Sequence, residues 1–418
     1  MSSLKALRFE NWIGIFLCLF ASSLLFSISV MELFATILLI FCIWGLAKKR
    51  ISVAKQEWTL YGVGYILGSL FLWTALSLIM NGKSLAKLMD LRWIFWIYLF
   101  FLCLIKANIK AERFKWLSIP ILLSTIYAVI FFLSPYEPLR GPEFTVHNIG
   151  KYLRTGGFLG SPMTFANVIA PMFCFSIVVS FYYWKESLVG KKWVLLSCLG
   201  LGLSLLLTFT RGAWVGAFVG ALLILGFYSW RWVVALIVTA SVMGATLFYR
   251  SPEFQSRFTS IAEVNNSANM GRQALWKAHI EMIKDHPLFG VGYGAAKSNL
   301  DLYYDRLSIP QDTVKSHAHN QLLHFAAGMG IPGVFLLLSL WIYLLFFNWK
   351  LLMRIPKTQV WHRSLAVGLL GAQVCFYILS QTEATLEDSE VGYTWTLLIG
   401  LLFCVYYLTK PREINKIA

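Results

Sequence analysis

Three of the seven histidines in this 418-residue chain fall within eight residues, at His317, His319 and His324. Histidine titrates near neutral pH, so an imidazole that faces water suits proton transfer as a general base. Asn320 follows His319 directly and offers a carboxamide that can orient an imidazole or bind a sugar hydroxyl. The cluster is therefore a candidate catalytic site, with ordinary loop histidines as the alternative.

Two arginines stand where an anion could bind. Arg211 lies in a short turn between two apolar segments, and a charge near hydrocarbon costs about 2.5–3.5 kcal/mol at the centre of a spanning helix. Arg272 opens a stretch that predicts a short amphipathic helix ending at Pro287. An arginine at a helix N-terminus favours a bound anion over helix stability. The alternatives are an arginine that snorkels to headgroups and a solvated surface arginine. The apolar positions of the predicted helix are Leu275, Ala278 and Met282.

One glycine lies directly beside Arg211, and three more follow Arg272 later in the chain. Gly212 would let a ligand approach the backbone closely. The glycines at positions 290, 292 and 294 either bring backbone N–H groups to a phosphate or only form turns.

A helix capped by Ser316 is predicted to run through His317 until Gly330 interrupts it. On that helix His317 and His324 share one face, whereas His319 points elsewhere. A metal site at His317 and His324 is the less favoured alternative, because it would lack a clear carboxylate or cysteine as a third ligand nearby, and no metal is predicted.

An acidic cluster follows later in the chain. It could supply a carboxylate base or hold a divalent ion, but the charge distribution favours a solvated acidic loop on the outward face, the same face as the histidines. Its members are Glu383, Glu387, Asp388 and Glu390.

The composition indicates an all-α integral membrane protein. The chain is 58% hydrophobic and 13% charged, against about 25% charged residues in soluble proteins. About twelve segments are long or apolar enough to be membrane-spanning helices. They are Trp12–Val30, Met31–Ala47, Trp58–Met80, Trp93–Ile105, Trp116–Leu133, Phe165–Trp184, Trp193–Phe209, Ala213–Trp230, Trp232–Tyr249, Ile331–Trp349, Leu365–Leu379 and Val391–Tyr407.

Charge gives the orientation of these segments. If successive loops lie on alternate sides of the membrane, both termini lie on the same side. That side holds 21 of the 36 basic residues and 5 of the 20 acidic residues. Fifteen of each remain on the other side, so the whole formal charge of +16 lies on one face. Short loops rich in Lys and Arg stay cytoplasmic. Both termini are thus predicted to be cytoplasmic, and the basic balance gives no reason to expect nucleic-acid binding.

Three regions follow from this pattern. Residues 1–249 form spans 1–9 with short loops, residues 250–330 form a large, partly helical outward loop, and residues 331–418 form spans 10–12 with a cytoplasmic tail. The outward loop is predicted to be too poor in apolar residues for a core of its own, and loops of this length are usually functional. A shorter outward loop, Ser134–Gly160, also presents cationic or titratable side chains. They are Arg140, His147, Lys151 and Arg154.

These motifs resemble, in type and order, those of the O-antigen ligase family, within a superfamily that includes O-antigen polymerases and bacterial O-oligosaccharyltransferases. The resemblance covers most of the chain. Gly157–Asn167 also resembles a superfamily segment, with Met163 where an asparagine is common. The matching motifs are Thr210-Arg211-Gly212-Ala213-Trp214, Gly271-Arg272 with Trp276, His286-Pro287-Leu288-Phe289-Gly290-Val291-Gly292, and His317-Ala318-His319-Asn320.

The resemblance implies a metal-independent, inverting glycosyltransferase of the multi-span membrane class that needs no cofactor. Arg211 and Arg272 would bind the diphosphate of an undecaprenyl-diphosphate-linked glycan, in place of Mg²⁺. His319 would be essential and would deprotonate the acceptor hydroxyl. The further substrate-binding candidates are Arg154, His317 and Asn320.

The first functional hypothesis is ligation of O-antigen to lipid A–core oligosaccharide at the periplasmic face of a Gram-negative inner membrane, among membrane lipids. A polymerase or a protein O-oligosaccharyltransferase would use the same donor, but the single dominant late loop favours a ligase. A transporter of lipid-linked glycans is the alternative class. It predicts internal repeats and ionisable residues deep in several spans, and the sequence has neither. The oligomeric state stays open.

Overall fold

The structure is a computed structural model that describes residues 9–51, 57, 59–107, 110–133, 154–259 and 267–410. The described residues contain helices and no strand. The helices are α1 (Phe9–Ser23), α2 (Ile28–Ala47), α3 (Val63–Met80), α4 (Trp93–Lys106), α5 (Ser118–Leu133), α6 (Pro162–Lys185), α7 (Lys191–Leu207), α8 (Arg211–Tyr228), α9 (Trp230–Arg250), α10 (Pro252–Thr259), α11 (Ser267–Asp285), α12 (Ala296–Arg306), α13 (Gln321–Arg354), α14 (Val360–Leu379) and α15 (Ser389–Thr409).

The prediction of an all-α, multi-pass membrane protein is confirmed. Within the described residues, nine helices are long and apolar enough to cross a membrane. The count is ten if the bent pair Leu85–Leu91 and Trp93–Lys106 forms one span. Each of the twelve predicted spans overlaps a helix, but the number twelve is not confirmed.

Helices α14 and α15 form the centre of the bundle, and 78% of the most apolar part of each is buried. Helix α14 packs on α6 and α8, and α15 packs on α4. Small residues let α8 and α14 approach closely. A Cβ added at Gly220 would lie 2.7 Å from the carbonyl oxygen of Gly371. This packing places the N-terminus of α8 beside the loop that joins α14 to α15.

Helix α13 is broken at Gly330, as predicted, where φ is +73° and ψ is −178°. Only glycine adopts this conformation readily. Side chains of α3 donate hydrogen bonds to the carbonyl groups just before the break. Trp73 Nε1 donates to Met329 O at 2.9 Å, and Ser77 Oγ donates to Gly328 O at 3.1 Å. Ile331 N donates to Pro287 O at 2.8 Å. The His-Pro-Leu-Phe-Gly motif thus packs against the broken helix, and its glycines form turns there.

The segment after α9 has an apolar core of its own, so the expectation that it lacks one is wrong. Helix α11 packs on α12 and α13. The predicted apolar positions of α11 are buried, with exposed fractions of 1%, 0% and 0% for Leu275, Ala278 and Met282. Leu300 and Tyr304 of α12 complete this small core. The core fixes α11 over one end of the bundle.

Candidate functional site

The histidine segment is a loop that ends in a helix cap. Asn320 caps α13: its Oδ1 accepts a hydrogen bond from Leu323 N at 2.9 Å, and its Nδ2 donates to Gln381 O at 3.2 Å. The predicted cap at Ser316 is therefore wrong, because α13 begins four residues later than expected. His317 and His319 precede the helix, so the expected shared helix face of His317 and His324 does not exist.

The loop conformation around His319 is unusual and firmly held. His319 has a φ of +48°, a left-handed conformation that is uncommon for residues other than glycine and clusters at functional sites. Trp276 Nε1 of α11 donates to Ala318 O at 2.7 Å. Gln321 N donates to Ser380 O at 2.7 Å, which joins the loop to the end of α14. The imidazole is therefore held between α11 and the α14–α15 loop.

Glu383 binds both histidines. Its Oε1 lies 2.8 Å from His319 Nδ1 and 3.2 Å from His317 Nε2. The Glu383 residue is only 5% exposed. The predicted solvated acidic loop is thus wrong for Glu383, and also for Glu390, which is 6% exposed. The expectation that His319 points away from His317 is wrong too, since the two rings lie 4.3 Å apart between centroids.

The hydrogen bonds fix the proton positions on both rings. The backbone N–H of His319 donates to His317 Nδ1 at 3.2 Å. In the neutral form, His317 therefore carries its proton on Nε2 and donates it to Glu383. His319 likewise donates from Nδ1 to Glu383, which leaves the lone pair on its Nε2. No described residue hydrogen-bonds to that atom, so His319 presents a basic nitrogen and His317 does not.

Charge in this cluster is concentrated on Glu383. Burial lowers the pKa of His317 to about 4, although the charge of Glu383 acts the other way. Burial alone would raise the pKa of Glu383, but the hydrogen bond from His319 and the charges of the histidines and Arg272 hold it below its usual value. At neutral pH, His317 is therefore neutral and Glu383 is ionised.

The two predicted arginines come together near this cluster. Arg211 is the first residue of α8. Arg272 lies in the second turn of α11, which begins at Ser267, so its predicted place at the helix N-terminus is wrong. The charge of Arg272 acts on both Glu383 and Arg211. Two neighbouring guanidinium groups repel each other, and an anion between them would relieve that repulsion.

Arg154 supports the turn that carries Arg211. Its Nε donates to Thr208 O at 2.8 Å and its Nη2 to Thr210 Oγ1 at 2.9 Å. Arg154 is only 8% exposed. Gly212 in the same turn packs against Thr382, so a protein side chain fills the approach that was expected for a ligand. Arg140, His147 and Lys151, the other candidates in the shorter loop, lie outside the described residues.

The segment at Gly157–Asn167 also borders the site. Met163 Sδ lies 4.0 Å from Arg272 Nη2. Thr164 Oγ1 donates to Asp388 Oδ2 at 2.8 Å. Burial, reinforced by neighbouring carboxylates, raises the pKa of Asp388 to about 6, and the Thr164 hydrogen bond only partly opposes this. The segment therefore links Arg272 to the loop between α14 and α15.

A second histidine–carboxylate pair lies beside the first. His324 Nε2 is 3.1 Å from Glu387 Oε1, and Tyr293 Oη donates to the same oxygen at 3.3 Å. His279 of α11 is fully buried, with its ring centroid 6.2 Å from that of His324. Its Nδ1 contacts the Leu275 carbonyl oxygen at 2.7 Å. This pair lies where α11 contacts α13.

His317, His319 and Glu383 could in principle hold a metal, since their ligand atoms lie within 4.8 Å of one another. The sequence argument that no carboxylate is near is therefore wrong. However, His317 Nε2 carries a proton as long as Nδ1 accepts the backbone N–H of His319. A protonated nitrogen is no metal ligand, so this hydrogen bond opposes metal binding at His317.

Glu383 is the residue that the sequence interpretation undervalued. It lies 64 positions from His319, beyond the reach of any local pattern. A usable signal existed nonetheless. A histidine base usually needs a third group to orient it, and the acidic cluster between the last two spans was predicted to lie on the same face as the histidines.

Comparison with known proteins finds one family whose match overlaps this site. The model of the O-antigen ligase family matches residues 194–338, which include Arg211, Arg272, His317 and His319. No curated protein matches the chain. The matched region runs from α7 to the part of α13 just beyond its break. The chain is therefore a multi-pass membrane protein that carries an O-antigen ligase family domain at residues 194–338, and this domain supports a place in the O-antigen ligase/polymerase superfamily.

Proposed function

We propose that this protein is an O-antigen ligase. It transfers O-antigen from undecaprenyl diphosphate to a sugar hydroxyl of lipid A–core oligosaccharide. The family supports sugar transfer from a lipid-linked donor. The excess of basic residues on the side of both termini supports cytoplasmic termini in a bacterial inner membrane, with the site on the periplasmic face.

The observation that carries the proposal is the lone pair on His319 Nε2. His317 Nδ1 accepts a hydrogen bond from the His319 backbone N–H, whereas His319 uses only its Nδ1 to bind Glu383 and leaves its Nε2 available. His319 is therefore the general base, and His317 is a neutral donor that helps hold Glu383. A base of this kind typically contributes about 10²–10⁴-fold to a rate.

The donor diphosphate binds between Arg211 and Arg272 in this proposal. Guanidinium groups bind phosphate oxygens through paired, charge-assisted hydrogen bonds. Arg211 also stands at the positive end of the α8 dipole, where an anion is favoured. Two fixed cations can stabilise the leaving diphosphate without a metal ion. Arg154 acts indirectly, because it holds the turn that carries Arg211.

The reaction is a single displacement. The acceptor oxygen attacks the anomeric carbon while its proton moves to His319 Nε2. The bond from that carbon to the diphosphate oxygen breaks, and undecaprenyl diphosphate leaves with the bonding electrons. Attack opposite the leaving group inverts the anomeric configuration. Asn320 contributes its remaining amide hydrogen to sugar binding, since its Oδ1 caps α13.

The test replaces His319 with alanine in cells that lack their own ligase. Lipopolysaccharide is examined by gel electrophoresis and mass spectrometry. The control is His286→Ala, which removes an exposed histidine of the same outward segment. We expect His319→Ala to abolish the O-antigen ladder and leave long polymer on undecaprenyl diphosphate. Single O-units in place of polymer would identify a polymerase, and a normal ladder would refute His319 as the base.

A further inference from the structure

We propose that Glu383 is the positioning residue of this site. It holds the His319 imidazole with Nε2 toward the acceptor and balances the positive charge that the ring gains during transfer. The inference rests on the proposed role of His319 as the base. Glu383 itself contacts the imidazole, not the reacting sugar.

The geometry supports one well-defined ring orientation. Glu383 Oε1 accepts from His319 Nδ1 at 2.8 Å, from His317 Nε2 at 3.2 Å and from Ala384 N at 3.3 Å. The neighbouring N–H groups keep the carboxylate in place, and the carboxylate then selects the Nδ1–H tautomer of His319. The other tautomer would put a proton on Nε2, where a base needs its lone pair.

The burial of Glu383 points to a role beyond loop structure. An ionised carboxylate that is 5% exposed is costly unless it is paired. In the resting cluster both histidines contact it through a ring nitrogen, and the charge of Arg272 acts on it from outside the cluster. When His319 Nε2 gains a proton, the resulting imidazolium is therefore already in direct contact with the Glu383 carboxylate.

The proton balance is simple. The acceptor hydroxyl loses its proton to His319 Nε2, and the imidazole becomes an imidazolium. Glu383 stays ionised throughout and takes no proton itself, because its role is to stabilise the charged ring. His317 keeps its own proton on Nε2, so its hydrogen bond to Glu383 is unchanged before and after transfer.

Three variants of the purified, detergent-solubilised protein test this role. Glu383→Gln keeps the size of the side chain but removes its charge, and Glu383→Asp keeps the charge but shortens the chain by one methylene. Glu387→Gln is the matched control, since Glu387 lies in the same loop and hydrogen-bonds to His324, not His319. Transfer from an isolated undecaprenyl-diphosphate-linked oligosaccharide to purified lipid A–core is measured across pH.

We expect Glu383→Gln to lower kcat by about 10²–10⁴-fold with little change in the KM for the donor. The acid limb of its pH–rate profile should move to lower pH, because an uncharged amide no longer favours the protonated imidazole. Glu383→Asp should retain at least tenfold more activity than Glu383→Gln but stay below the wild-type kcat, because the shorter side chain moves the carboxylate away from His319 Nδ1. Glu387→Gln should keep the shape of the wild-type pH profile.

A loop-holding role predicts the opposite order, with the isosteric Glu383→Gln more active than Glu383→Asp and no movement of the pH profile. That result would overturn the proposal. If Glu383→Gln fails to fold, Glu383→Asp still decides, since wild-type kcat in that variant would show that the position of the carboxylate does not matter. His319→Ala in the same assay separates the two proposals, because full activity there refutes the base itself rather than Glu383.

Discussion

Acidification should destabilise the packing of α11 against α13, and the lowered pKa of His279 gives the size of the effect. This side chain is fully buried, and burial, assisted by His324, lowers its pKa from 6.5 to about 4. A histidine with a lowered folded pKa binds protons more readily in the unfolded chain. The loss of folding stability caused by burying His279 is therefore absent well above pH 6.5 and grows as the pH falls toward 4. For these two pKa values, His279 alone destabilises the fold by about 2 kcal/mol between pH 7 and pH 5.

The perturbation is His279→Phe, which keeps a ring in the same space and removes the titrating group. Equilibrium unfolding of the detergent-solubilised protein is measured at pH 7 and pH 5 for both proteins. The pH-dependent loss of stability should be smaller in the variant by about 2 kcal/mol. His286→Ala, at an exposed position four residues beyond Met282, is the control and should behave like the wild type. An equal loss in wild type and His279→Phe would refute the reasoning.

Two further predictions concern the arginines and the break in α13. Arg211→Lys and Arg272→Lys should each lower kcat/KM for the donor tenfold or more, since lysine cannot bind a phosphate with a planar fork. Lys277→Ala, an exposed cation on α11, is the control, and an equal loss there would point to general electrostatics. Gly330→Ala should lower the unfolding free energy by about 2 kcal/mol or more, because φ is +73°. Gly244→Ala in α9, with nothing within 4 Å of an added Cβ, should be neutral or stabilising, and equal effects would contradict this account.

The positions of the membrane helices were predictable because hydropathy is a local property. A span such as Val391–Tyr407 needs only its own residues to be recognised, and α15 covers it. The apolar face of α11 was predictable for the same reason. The number of complete spans was less secure, because α1 has only 15 residues and α4 has 14. Length alone cannot say whether such short helices cross a bilayer.

The site was predictable residue by residue but not as an arrangement. Arg211, Arg272 and His319 were all nominated from sequence. The cap of α13 was misplaced because Ser316 and Asn320 both suit that position, and only the contact of Asn320 with Gln381 distinguishes them. Glu383 was set aside because its partners come from a loop distant in sequence. Tertiary contacts of this kind leave no local pattern.

Different parts of the fold hold the two halves of the proposed site. Glu383 extends from the loop between α14 and α15, the two most buried spans, and the neighbouring Gln381 carbonyl accepts a hydrogen bond from Asn320 beside His319. A base must be held within a fraction of an ångström of its proton, so anchorage to the most rigid helices suits it. Arg272 instead lies on α11, which packs on α12 and the start of α13. The proposed diphosphate-binding side of the site thus rests on α11 and α12 and the proposed base on the bundle core, with Trp276 bonded to Ala318 between them.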